Sequence, residues 1–89
     1  MSEETLRLRA DRVEWRAVGE EVVALDVAES MYLAVGPVGA AMWPHLAEGT
    51  DLERLVEVVT AGFEVDAETA RRDIRAFIED LRERDLLER

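Results

Sequence analysis

The spacing of apolar residues changes once along the chain, at Gly36-Pro37, and that change decides the fold class. Before it apolar side chains recur at every second position, as on one face of a strand; after it they recur at every third or fourth, as on one face of a helix. Val13, Trp15 and Ala17 alternate with Glu14, Arg16 and Val18, and the run Glu21 to Val27 is rich in β-branched residues. Val18-Gly19-Glu20-Glu21 between them has the composition of a tight hairpin. Ala28-Glu29-Ser30 has that of a second turn, leading into Met31-Tyr32-Leu33-Ala34-Val35. A three-stranded antiparallel sheet is expected. Residues 1–12, with the segment Leu6-Arg7-Leu8-Arg9-Ala10, read as an arm or short extra strand ahead of a domain over 13–89.

Gly36-Pro37 ends the sheet and opens a helix, because proline has the φ of a first helical turn and lacks an amide that would go unpaired there. Val38, Ala41, Met42 and Leu46 fall on one helical face, and Pro44 predicts a short or kinked helix. Thr50-Asp51-Leu52-Glu53 has the spacing of a capping box. It announces a second helix with the stripe Leu52, Leu55, Val56 and Val59, which Gly62 is placed to stop. Asp66 can cap a third helix with Glu68 in its first turn. Ala70, Ile74, Phe77, Ile78 and Leu81 then form a full amphipathic face. Strands segregated from helices indicate an α+β fold, and a winged helix-turn-helix is the compact solution for one domain of 89 residues.

Chemistry-bearing residues are sparse. There is no cysteine, and a lone histidine, His45, builds no metal site. Ser2, Ser30, Thr5, Thr50, Thr60 and Thr69 fall in turns, caps or ends, so no nucleophile is paired with a base. Gly36-Pro37-Val38-Gly39 lacks the lysine and Ser/Thr of a phosphate loop. The expectation is no enzyme, no cofactor and no metal. The N-terminal stretch is charged rather than apolar and no run approaches the ~20 residues that span a bilayer, so a cytoplasmic chain without a membrane partner is expected. The net charge of −10, with eleven arginines as the only Lys/Arg residues, is the wrong sign for nucleic acid. Arg71, Arg72 and Arg75 form the one basic cluster. A winged-helix regulator would use it on DNA, whereas helical spacing pairs it with Glu68, Asp73 and Glu79.

The run Met31 to Val35, the segment Gly36 to Trp43, Gly49-Thr50 ahead of a helix, and Asp73-Ile74-Arg75-Ala76-Phe77-Ile78 leading through Leu81 to Leu86-Leu87 together resemble the PqqD-like family, from about Val13 to Leu87. Gly36, where the family often has asparagine, and Pro44 depart from its pattern. The resemblance implies a recognition element for ribosomally made, post-translationally modified peptides. Its groove between the third strand and third helix takes a precursor's leader peptide as an added strand. A freestanding chain of this size is most similar to the lasso-peptide members, which hand the leader to a separate B2-type leader peptidase and to a cyclase. The sibling reading is a peptide chaperone for pyrroloquinoline quinone synthesis or another radical-enzyme pathway.

The residues support strand capture on their own terms. Met31 to Val35 would be an edge strand without lysine, proline or charge, and such an edge is either covered, by the third helix or a second copy, or used for strand addition. Alternation puts Met31, Leu33 and Val35 on one face and Tyr32 and Ala34 on the other. Leu33 and Val35 are expected to line a pocket floor with Ile74, Phe77 and Ile78, with Arg71, Asp73 and Arg75 at the rim.

Overall fold

The computed structural model describes residues 4–89. The first three residues of the expected arm, Ser2 among them, lie outside the described residues. Three strands, β1 (Val13–Val18), β2 (Glu21–Asp26) and β3 (Met31–Val35), precede three helices, α1 (Pro37–Glu48), α2 (Leu52–Gly62) and α3 (Ala67–Glu83). The sheet is antiparallel in the order β1-β2-β3, so the order of period-two and period-3.6 segments becomes an α+β winged-helix fold.

The register follows from the β1–β2 turn. Two residues, Gly19 and Glu20, separate Val18 from its partner Glu21, and Gly19 has φ +63° while Glu20 has no positive φ. A two-residue loop with glycine first closes on a hydrogen-bonded pair, and such pairs then alternate along the ladder. Glu21, Val23 and Leu25 therefore bond to β1, and Val22, Ala24 and Asp26 to β3, where they face Val35, Leu33 and Met31. That leaves the amides and carbonyls of Tyr32 and Ala34 pointing out of the sheet. The face bearing Val13, Val22, Ala24 and Val35 is buried beneath the helices, and the face bearing Glu14, Arg16, Tyr32 and Ala34 is exposed.

Four local expectations are corrected. The buried stripe of α1 is Gly39, Met42, Trp43 and Leu46, rotated from the one expected, with Val38 and Ala41 off the core. Trp43, the largest fully buried side chain, supplies the bulk between sheet and helices. The helix runs twelve residues through Pro44, because that proline sits on the exposed side and the Ala40 carbonyl it leaves without an amide borders an open depression. The cap of α2 is Asp51, whose carboxylate accepts from the Arg54 amide at 2.8 Å. Thr50 instead pairs with the arm: its carbonyl accepts from Leu6 at 2.7 Å and its amide donates to Leu6 at 2.9 Å. Gly62 is the last residue of α2 rather than the one beyond it, and Phe63 caps. Asp66 caps α3 as expected, accepting from the Thr69 amide at 2.7 Å. Leu6 and Leu8 are both buried in the core, Leu8 bridging to Leu87.

A cluster of charge joins the arm, the sheet and the end of α3. Arg12 donates from Nε to Asp26 Oδ1 at 3.0 Å and from Nη1 to Asp85 Oδ2 at 3.1 Å, and Arg9 reaches the same Asp85 oxygen at 2.8 Å. Asp26, 5 % exposed, also accepts from the amides of Ala28 and Glu29, which shapes the β2–β3 turn. Burial pushes its carboxyl up, but the Arg12 hydrogen bond, the two amides and the nearby positive charge outweigh this and hold it below the ordinary 3.8. A folded pKa below the unfolded one stabilises the fold fully above pH 3.8, and that stabilisation is lost as pH falls through the folded value. Asp26→Asn is therefore expected to lower the melting temperature by several degrees at pH 7, with the deficit shrinking below pH 4. Thermal melts at pH 7, 5 and 3 check this; a gap that stays constant with pH would show that the charge is not what matters.

Candidate functional site

A groove runs between β3 and α3, floored by α1. At its wide end an open depression of about 640 Å³ lies between Val35, Gly39, Met42, Val59, Ile74 and Phe77. At its narrow end a smaller one of about 240 Å³ lies between Tyr32, Leu33 and Ala34 on one side and Asp80, Leu81 and Arg84 on the other. Val35 and Phe77 border both and divide them. Close packing at the divider depends on Gly39: a Cβ there would sit 2.5 Å from Val35 Cγ1 and 3.3 Å from the Phe77 ring. Phe77 meets Trp43 edge to face at 6.3 Å between ring centroids, so the groove floor rests directly on the largest buried side chain.

The open edge of β3 forms one wall. Tyr32 is 72 % exposed and Met31 52 %, while Leu33 is half-buried and Val35 buried, so alternation holds except at Met31, which is exposed at the strand's start. The wall carries no charge and two outward-facing backbone donor–acceptor sets, those of Tyr32 and Ala34. Its geometry can hydrogen-bond an extended chain and take alternate side chains of that chain into the two depressions. Nothing among the described residues groups three or more His, Cys, Asp or Glu side chains for a metal ion. No described helix is long and apolar enough to cross a membrane.

Of the residues expected at this site, the structure brings together Tyr32, Leu33, Ala34, Val35, Asp73, Ile74 and Phe77; Met31 stands at the strand's start beyond the depressions. It does not bring Arg71, Arg75 and Ile78. Helical residues advance 100° each, so Asp73, Phe77, Asp80 and Arg84 share the flank toward β3 while Arg71, Arg75 and Ile78 lie on the opposite flank. There Arg71 donates to Glu53 of α2 at 2.7 Å and 3.2 Å, and Ile78 and Arg75 border a small hollow with Leu6 and Leu52. Asp80, Leu81 and Arg84 were missed. Continuing the i, i+4, i+7, i+11 series from Asp73 finds two of them, Asp80 and Arg84. The far wall of the wide depression, Phe63 to Val65 in the α2–α3 turn, carries no such signal, since it depends on where α2 ends.

A family model described as coenzyme PQQ synthesis protein D matches residues 21–87. The solved structure of TbiB1 in complex with the TbiA(beta) leader peptide matches with a TM-score of 0.84 at 32% sequence identity, covering 93% of this chain and 95% of that one. No curated protein matches the chain. The family match begins at the first residue of β2 and closes on Leu87, taking in β3, all three helices and both walls of the groove. On this match the chain belongs to the PqqD family.

Proposed function

We propose that this protein is a non-catalytic adaptor that captures the leader of a ribosomal precursor peptide as a strand added to β3, and delivers it to a separate enzyme. The observation that carries the reading is the likeness, over nearly the whole length of both chains, to a protein described in complex with a leader peptide. The open, uncharged edge of β3 beside an apolar groove supplies a physical means. The proposed contact set is Met31 to Val35 with Asp73, Ile74 and Phe77, joined by Asp80 and Arg84. Arg71, Arg75 and Ile78, on the other flank, would act on the peptide only indirectly.

In the lasso-peptide version of this function the receiving enzymes are a B2-type leader peptidase and a cyclase, and the adaptor works in the cytoplasm where the precursor is made. The family description favours a second reading, service to a radical enzyme in pyrroloquinoline quinone synthesis or a related pathway. The purified protein titrated with the precursor peptide encoded beside its gene should give saturable binding at about micromolar concentration or below. No saturation by about 100 µM would overturn the adaptor reading. Adding each candidate enzyme to the preformed complex separates the two versions, because the true recipient retains the peptide-loaded adaptor.

A further inference from the structure

We propose that the wide depression selects a cationic residue of the captured peptide, an arginine or lysine whose aliphatic stem lies along the apolar wall and whose head is held by Glu64 and Asp73. This deepens the adaptor reading and rests on it. The depression is lined by apolar groups and backbone, and among the described residues its only ionisable side chains are those two carboxylates. Both are exposed, one at the α2–α3 turn and one on the first turns of α3. An amphipathic cation that keeps its head at the rim while its stem covers apolar surface fits that division.

The distribution of charge on α3 gives the same direction independently. Two of its arginines are held away from the groove: Arg71 by Glu53 at 2.7 Å, and Arg82 by Glu4 at 2.6 Å and Glu79 at 3.0 Å, on the far flank. Arg84, on the groove flank, is paired with Asp80 at 3.2 Å. Arg72 approaches Asp73 only at 3.6 Å, with both side chains mostly in solvent, a pair that an incoming cation displaces at little cost. Among the described residues the groove therefore presents two carboxylates without a well-held partner, both at its wide end. At about 640 Å³ the wide depression exceeds one side chain, so two same-face residues of a strand, ~7 Å apart, enter together. The inner one rests on Met42 and Ile74, and the outer one carries the charge. An acidic residue at the outer position meets like charge and is rejected, which sets peptide register as well as partner choice.

Random 16-residue peptides displayed on phage and selected against the full chain, its Glu64→Gln/Asp73→Asn variant and its Ala34→Pro variant test the idea. The wild type should enrich one peptide family with Arg or Lys at a fixed position. A synthetic member of that family should bind the double variant about tenfold more weakly at low salt, and the difference should shrink at about 0.5 M salt. Enrichment of the same peptides, with no preference for a cation, by both the wild type and the double variant overturns the charge selection and leaves strand capture standing. No enrichment above the Ala34→Pro control overturns strand capture, and this inference with it. Both carboxylates are exposed, so the double variant is expected to fold as the wild type does.

Discussion

Replacing Ala34 by proline is expected to weaken peptide binding about 100-fold or more while leaving the helical circular dichroism close to that of the wild type. The reason is which way the Ala34 amide points. The two-residue turn at Gly19-Glu20 sets the phase of the β1–β2 ladder, and the phase carries through β2, so Ala34 bonds to nothing inside the sheet. Proline there removes no internal hydrogen bond, which is why edge strands tolerate it. It does remove the β3 amide that would donate to the added strand, and it puts a ring in that strand's path. A desolvated carbonyl left unpaired costs ~1–3 kcal/mol before any steric term, and each 1.4 kcal/mol is tenfold in affinity. Leu33→Pro is the matched control. The Leu33 amide faces Ala24 of β2, so that variant should lose the sheet itself. Calorimetric titration of peptide into Ala34→Pro decides the matter: undiminished affinity rules out strand addition at β3.

Trp43→Ala carries the largest expected effect on stability, a loss of about 3–5 kcal/mol. Trp43 has no exposed surface and stands between the inner face of the sheet and α3, edge to face with Phe77. Domains of this size hold only about 5–15 kcal/mol in total, so truncation should leave a marginal protein that melts at least 15 °C lower. Trp43→Phe should cost far less, because it keeps most of the ring and removes an indole N–H that is buried without a hydrogen-bond partner. Urea unfolding of the two variants measures the difference. Similar losses for both would mean the indole nitrogen contributes more than its geometry indicates.

The alternation of Val13 to Val35 and the stripe Ala70-Ile74-Ile78-Leu81 made the order of elements readable from the chain, because each is a periodicity that one buried face imposes locally. The edge character of β3 was readable for the same reason. What did not read correctly was set by contacts across the chain. Thr50 looked like a cap by spacing, but its backbone is taken by Leu6, 44 residues earlier, and Asp51 caps instead. The stripe of α1 was misplaced because Trp43 and Gly39 have meaning only against Val35 and Phe77. Arg71 and Arg75 look like a binding cluster in one dimension. In three, Arg71 braces α3 against α2 while Arg75 borders a hollow beside the arm, and the groove takes the acidic flank of the same helix.

The Arg12 cluster has a mechanical consequence for that groove. Asp26 ends β2 and holds the turn into β3, Asp85 lies just beyond α3, and one guanidinium binds both. The two walls are thus pinned together at the Tyr32–Arg84 end, while among the described residues no ion pair ties them at the Val35–Asp73 end, like a clip with one closed jaw. A chain lying in it meets a fixed gap at one end and a compliant one at the other.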